Sequence, residues 1–179
     1  MNTANKLTLL RVALVPVFMA FMLTEGTAWQ IAALAVFIIA SLTDMIDGKI
    51  ARKYNQITTF GKFADPLADK MLITAAFLVF LQKGVINSWA VMIVMAREFM
   101  VAGVRLAAVA EGTVIAASIW GKLKTVSQMA AVIIALIVLN IPSLNGVLVT
   151  NVCIWISVIL TVLSGADYLI KNWHLMKLK

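Results

Sequence analysis

The run Asp44-Met-Ile-Asp47-Gly48-Lys-Ile-Ala51-Arg52, followed eight residues later by Gly61-Lys-Phe-Ala-Asp65-Pro-Leu-Ala-Asp69, decides how this chain is read. It holds four of the eight acidic side chains in the sequence. Positions 44 and 47 are three apart and positions 65 and 69 four apart, so on helices each pair shares a face. Lys53 to Thr59 make a short turn between them. Two antiparallel helices joined this way bring both carboxylate pairs into one small volume. Four carboxylates that close raise one another's pKa and stay ionised together only if cations neutralise them. The donors are all oxygens, which suits Mg²⁺, Mn²⁺ or Ca²⁺. Mg²⁺ usually completes its shell with substrate phosphates, and two such ions can flank a phosphoryl group. The plainer reading is surface pairing with neighbouring lysines and arginines. That accounts for single aspartates better than for four in this arrangement with glycines between them.

Working outward, the surroundings of these acids are apolar. Of 179 residues 63% are hydrophobic, and the mean hydropathy is +1.00. A soluble domain is nearer 45–50% apolar, so the chain is read as an integral membrane protein, where a carboxylate is a functional hypothesis by default. Stretches long enough to span are expected at 7–24, 28–52, 60–82, 86–110, 122–141 and 147–170. Breakers or polar residues separate them: Glu25-Gly26, Tyr54-Asn55-Gln56, Lys83-Gly84, Glu111-Gly112 and the run from Asn140 to Gly146. Pro16 is expected to kink the first span, and Pro66 lies near the start of the third, where a missing donor is tolerated. Lys6 and Arg11 precede the first apolar stretch as in a signal peptide, but no Ala-x-Ala site follows, so it reads as a retained span. No polar stretch is long enough for a second domain, and residues 1–179 are read as one helical domain.

The charges give the orientation. With six spans both termini share a side. Nearly all lysines and arginines collect there, leaving Lys83 in the opposite loops and Arg97 inside a span. The crowded side, which includes the aspartates, is therefore cytoplasmic. The net charge of +7 faces anionic headgroups or an anionic substrate; nothing resembles a nucleic-acid module. Trp29, Trp89, Trp120 and Trp173 fall near span ends as an aromatic belt, and His174 beside Trp173 reads as interfacial. Trp155 and Cys153 read as packing residues, and a single cysteine excludes an internal disulfide.

Asp44-x-x-Asp47-Gly48-x-x-Ala51-Arg52, eight residues, then Gly61-x-x-x-Asp65-x-x-x-Asp69 resembles the signature of the CDP-alcohol phosphotransferases, with every fixed identity present at the family spacing. The resemblance implies an all-α fold of six transmembrane helices with a short N-terminal amphipathic segment, a homodimer, and a polar cavity facing the cytoplasm of a bacterial cell. It also implies two divalent cations, Mg²⁺ or Mn²⁺, and displacement of CMP from a CDP-linked substrate by an alcohol. Flanking runs extend the likeness over nearly the whole chain: Asn5-Lys-Leu-Thr8-Leu-Leu-Arg11, Phe60 to Lys70, Arg97-Glu98, Arg105-Leu106 and Gly121-Lys-Leu-Lys-Thr125. They resemble the branch that joins CDP-diacylglycerol to sn-glycerol 3-phosphate.

Carried onto this sequence, the resemblance implies Asp44, Asp47, Asp65 and Asp69 as metal ligands, with Asp69 also the general base. It implies Asp44, Gly48, Ala51, Arg52 and Gly61 at the CDP-diacylglycerol. Small residues at 48 and 51 clear room for a bulky group against the backbone. The acceptor phosphate needs cations, and Arg97, Arg105, Lys122 and Lys124 are the candidates. Glu98 lies seven residues before Arg105 on one helical stripe, so it is expected to orient Arg105 or to relieve a buried charge. Lys122 and Lys124 are two apart and cannot point the same way, so at least one is expected to face lipid headgroups. Asn5, Thr8 and Arg11 are read either as headgroup or nucleotide contacts or as capping and interfacial anchors. Two other readings stand beside this one. Another acceptor (inositol phosphate, or phosphatidylglycerol) fits the same chemistry. A cation transporter fits the acids but predicts charges spread through the membrane depth and an inverted repeat, neither of which the sequence has.

Overall fold

The computed structural model describes residues 3–53, 59–110, 112, 113, 115 and 118–173; the side chains of 3–7, 44–53, 59–67, 69 and 110 lie outside that description. The described residues are helical with no strand. The helices are α1 (Thr3–Leu23), α2 (Thr27–Lys53), α3 (Thr59–Gln82), α4 (Ser88–Ala110), α5 (Ile119–Val138) and α6 (Gly146–Lys171). Each expected span has its helix, with ends that shift by a few residues. The amphipathic start of the chain is no separate element, because α1 is continuous from Thr3 and runs on through Pro16.

The breaks have local causes. After α3, Gly84 takes φ +68°. The Val85 N–H then reaches back to the Phe80 carbonyl at 2.9 Å, and the Gly84 N–H to Leu81 at 3.0 Å. Gly112, at φ +72°, closes α4 the same way through Thr113 N–H to Ala108 (2.8 Å) and its own N–H to Val109 (3.0 Å). This double bond over a left-handed residue satisfies the last carbonyls, and glycine reaches that region without a Cβ penalty. α5 begins three residues earlier than the apolar pattern suggests because Ser118 caps it, its hydroxyl accepting from the Gly121 N–H at 3.0 Å.

α1 packs on α2 and α3, α5 lies along α6 and also meets α2 and α3, and α4 bridges α3 and α6. The core between them is aromatic and aliphatic: Phe18, Phe37, Phe77, Phe80, Val132, Leu136, Ile154 and Val158 are all essentially buried. Phe18 and Phe37 meet with ring centroids 5.7 Å apart. Cys153 and Trp155 pack against this core, as the sequence suggested. Beside Ile154 and Val158, the buried face of α6 is small and polar: Ser157, Thr161, Ser164 and Gly165, ending at Tyr168. Thr161 receives the Gln128 amide of α5 at 3.0 Å. Small residues let helix backbones approach closely where no water drives them together.

The outside is as apolar as the inside. Phe99, Leu106, Ile119 and Ile170 are all more than two-thirds exposed. Exposed apolar area on this scale marks a surface covered by lipid or protein. Among the described residues α5 and α6 are long and apolar enough to cross a membrane. The described apolar parts of α1, α2 and α3 are shorter, Thr8–Leu23, Thr27–Thr43 and Lys70–Gln82, and α4 carries the Arg97-Glu98 pair within it. Trp29, Trp89, Trp120 and Trp173 are exposed near helix ends; His174 lies outside the described residues.

Candidate functional site

The signature aspartates fall on two consecutive helices, Asp44 and Asp47 in the second half of α2 and Asp65 and Asp69 in the first half of α3. Their side chains, with those of Gly48, Ala51, Arg52 and Gly61, lie outside the described residues. α2 and α3 touch one another, and the backbone gives each pair its expected helical spacing.

What the described side chains build is next to that segment. Glu98 on α4 is buried, and three cations from three helices converge on it. Lys124 of α5 donates to Oε1. Arg97 lies with Nη1 3.3 Å from the same oxygen. Lys70, the residue after Asp69 on α3, puts Nζ 3.5 Å from Oε2. The Lys124, Arg97 and Glu98 side chains are at most 10% exposed, whereas that of Lys70 is 40% exposed. Arg97 also donates from Nη2 to Ser164 Oγ of α6 at 2.8 Å. Its Nε is buried and has no hydrogen-bond partner among the described residues. Among the described residues, one carboxylate against three cations leaves an excess of two positive charges in this group. Buried charge is costly unless compensated, so the electrostatics of these described side chains favour a neighbouring anion. Guanidinium offers a planar fork to a phosphate and ammonium a point charge.

The cations expected at an acceptor phosphate thus divide. Arg97 and Lys124 come together. Lys122 is exposed, as its two-residue offset from Lys124 demands. Arg105 is also exposed, with its guanidinium carbon 5.8 Å from the centre of the Tyr168 ring. Of the two expectations for Glu98, relief of buried charge is the one seen, at Arg97 and Lys124; the pairing with Arg105 does not form, since Arg105 lies almost two turns further along α4 while Lys124 and Lys70 reach Glu98 from neighbouring helices. Thr8 and Arg11 are buried inside α1. Both lie well inside the helix, so neither caps its start; Asn5 lies outside the described side chains. Lys70 and Ser164 were not singled out by the sequence. The signal for Lys70 was its place beside Asp69, and for Ser164 there was none.

One cavity adjoins this region and a larger one lies away from it. The first, of about 60 Å³, is lined by Arg11, Ala40, Ser41, Leu72, Ile73, Thr125 and Met129. It lies within a turn, along α2, α3 and α5, of Asp44, Asp69 and Lys124. Ser41 Oγ is buried and without a hydrogen-bond partner among the described residues. The larger cavity, about 320 Å³, is lined by Met22, Gln30, Lys83, Val85, Leu136, Leu139 and Asn140 at the other end of the helices. Size alone would select it, but it holds no signature residue and three helix C-termini converge there. Chemistry selects the smaller one.

The model of the CDP-alcohol phosphatidyltransferase family matches residues 1–163. The chain belongs to the CDP-alcohol phosphatidyltransferase family. Within it, the chain is 42% identical over an alignment of 190 residues to the CDP-diacylglycerol–glycerol-3-phosphate 3-phosphatidyltransferase of Bacillus subtilis, covering 98% of this chain and 97% of that one. The enzyme of the same name from Rickettsia bellii is 36% identical, covering 93% of both chains. A probable phosphatidylglycerophosphate synthase of Mycobacterium tuberculosis is 39% identical over 93% of this chain and 79% of its own. For a CDP-alcohol phosphatidyltransferase, a diphosphate-bearing lipid and an alcohol must meet at one site, and the aspartate helices adjoin the excess positive charge at Lys70.

Proposed function

We propose that this chain transfers the phosphatidyl group of CDP-diacylglycerol to sn-glycerol 3-phosphate, giving phosphatidylglycerophosphate and CMP. The observation that carries the reading is the convergence of Lys70, Arg97 and Lys124 on Glu98, one residue along α3 from Asp69. Its two excess positive charges match a phosphate dianion. The names of the full-length relatives support the same acceptor.

The donor set of Asp44, Asp47, Asp65 and Asp69 is oxygen-only and suits two hard divalent cations, Mg²⁺ or Mn²⁺. When bound, such ions supply charge stabilisation to the diphosphate of the nucleotide lipid. Arg97 and Lys124, with Lys70, hold the acceptor phosphate and so fix the glycerol at a short distance from Asp69. Asp69 takes the proton of the glycerol hydroxyl. The freed oxygen attacks the lipid-side phosphorus, the bond from that phosphorus to the CMP oxygen breaks, and CMP leaves with the electron pair. Gly48 and Ala51 admit the cytidine, while Asp44, Arg52 and Gly61 contribute to the diphosphate site. Arg105 and Lys122 are left to the surface. Six membrane-spanning helices carry the site, which faces the cytoplasm of a bacterial plasma membrane, in a homodimer. The lipid tails then stay in the bilayer, since each CH₂ drawn out costs about 0.8 kcal/mol.

The test is CMP release by the purified protein from CDP-diacylglycerol with Mg²⁺ or Mn²⁺ and a panel of alcohols. Glycerol 3-phosphate should support turnover where glycerol, serine and inositol phosphate do not. Release that is indifferent to the phosphate on the acceptor would refute the assignment.

A further inference from the structure

The α6 step Ser164-Gly165 is assigned no part by the family signature, yet it holds Arg97, one of the two little-exposed cations of the site. Gly165 is buried, and a Cβ there would lie 3.0 Å from Arg97 Cγ and 3.4 Å from Met100 Cε. The stem of Arg97 therefore lies directly against the α6 backbone, in a slot that only the absence of a side chain leaves open. Ser164, fully buried, holds the far end of the same side chain through its bond to Nη2. Across the slot, Gly121 of α5 brings its backbone close, since a Cβ at that position would stand 4.0 Å from Nη2. With Nη1 turned to Glu98, the guanidinium is held on two edges while its buried Nε–H has no partner among the described residues. A side chain so confined loses little rotamer freedom when an anion arrives, and rigid placement is what makes a bidentate grip selective.

We infer that Ser164 and Gly165 are positioning residues: they set the guanidinium of Arg97 for the acceptor phosphate, and so make selection of a phosphorylated alcohol a property of the α4–α6 contact. The inference rests on the acceptor reading above. It is tested with the full-length protein in detergent, measuring KM for glycerol 3-phosphate and for CDP-diacylglycerol separately. Ser164→Ala should raise the former by about tenfold, the usual order for a lost bond to a charged group, and leave the latter within about twofold. Ser164→Thr, which keeps the hydroxyl, should recover most of the loss. Gly165→Ala should also raise the acceptor KM, and its thermal unfolding is followed in parallel. If that variant fails to fold, the Ser164 pair decides. A double-mutant cycle closes the argument, because in an Arg97→Lys background Ser164→Ala should cost little more. Equal rises in both KM values, no recovery with Thr, or an undiminished loss in the Arg97→Lys background would overturn the inference. A wild-type protein that releases no CMP with glycerol 3-phosphate would instead overturn the proposed function, so the two failures are distinct.

Discussion

At the scale of single residues, the site depends on how charge is compensated. Glu98 is the only acid that the described residues bring to Lys70, Arg97 and Lys124. Glu98→Ala would leave Arg97 and Lys124 facing one another away from water, with the more exposed Lys70 beside them, and breaking a buried pair costs about 3–5 kcal/mol. A large fall in thermal or denaturant stability is expected, with Glu98→Gln intermediate because its amide oxygen still accepts from Lys124. Asp69 is different in kind. Asp69→Asn keeps the size of the side chain but removes the proposed base, and CMP release should drop by roughly 10²–10⁴, while CDP-diacylglycerol binding, read by titration with the labelled lipid, should fall far less because three carboxylates of the proposed cation site remain. The sequence made Arg97 and Lys124 visible as cations out of place in apolar helices. It could not say which of several lysines would turn inward. Glu98 was seen, but helical spacing pointed it along its own helix to Arg105. Besides Arg97, its chain neighbour, its partners come from α3 and α5, and a one-dimensional stripe holds no record of neighbouring helices.

Among the elements, the helices were the most legible part, because glycines and polar runs interrupt apolar stretches at almost every real end. The misjudged ends have identifiable chemistry. α5 runs 119–138 and not 122–141 because Ser118 caps its start, and at its end the Leu139 N–H closes on Ala135 and the Asn140 N–H on Ile137. Hydropathy does not register a cap. Ser118→Ala should destabilise by about 1 kcal/mol, and because α5 carries Lys124, the acceptor KM should rise modestly with it. The α5–α6 hairpin is tighter. A Cβ on Gly146 would fall 2.7 Å from the Val138 carbonyl oxygen and 3.0 Å from Leu139 Cα. Backbone cannot yield as a flexible side chain can, so Gly146→Ala is expected to cost about 1–3 kcal/mol, read as a lowered unfolding temperature. Gly84→Ala meets nothing within 4 Å and should cost only the left-handed conformation, about 1–2 kcal/mol.

For the whole molecule, the one-sided distribution of lysine and arginine predicts an orientation that can be measured. In a Cys153→Ala background, a membrane-impermeant maleimide should label Lys122→Cys only from the cytoplasmic face and Lys83→Cys only from the opposite one. Labelling of both from one side would refute the six-span topology. The number of helices could be counted from the sequence. Their neighbours could not, since α5 meets α2, α3 and α6 through contacts that no local pattern encodes. That arrangement has a further consequence. The groups gathered at Glu98 are borne by α3, α4 and α5, so their mutual distances depend on how those helices lean. A host bilayer thinner or thicker than the hydrophobic belt changes helix tilt. Affinity for the water-soluble substrate should accordingly vary with acyl-chain length in reconstituted vesicles, so that the lipid around the protein tunes how readily it draws on a metabolite that never enters the oil.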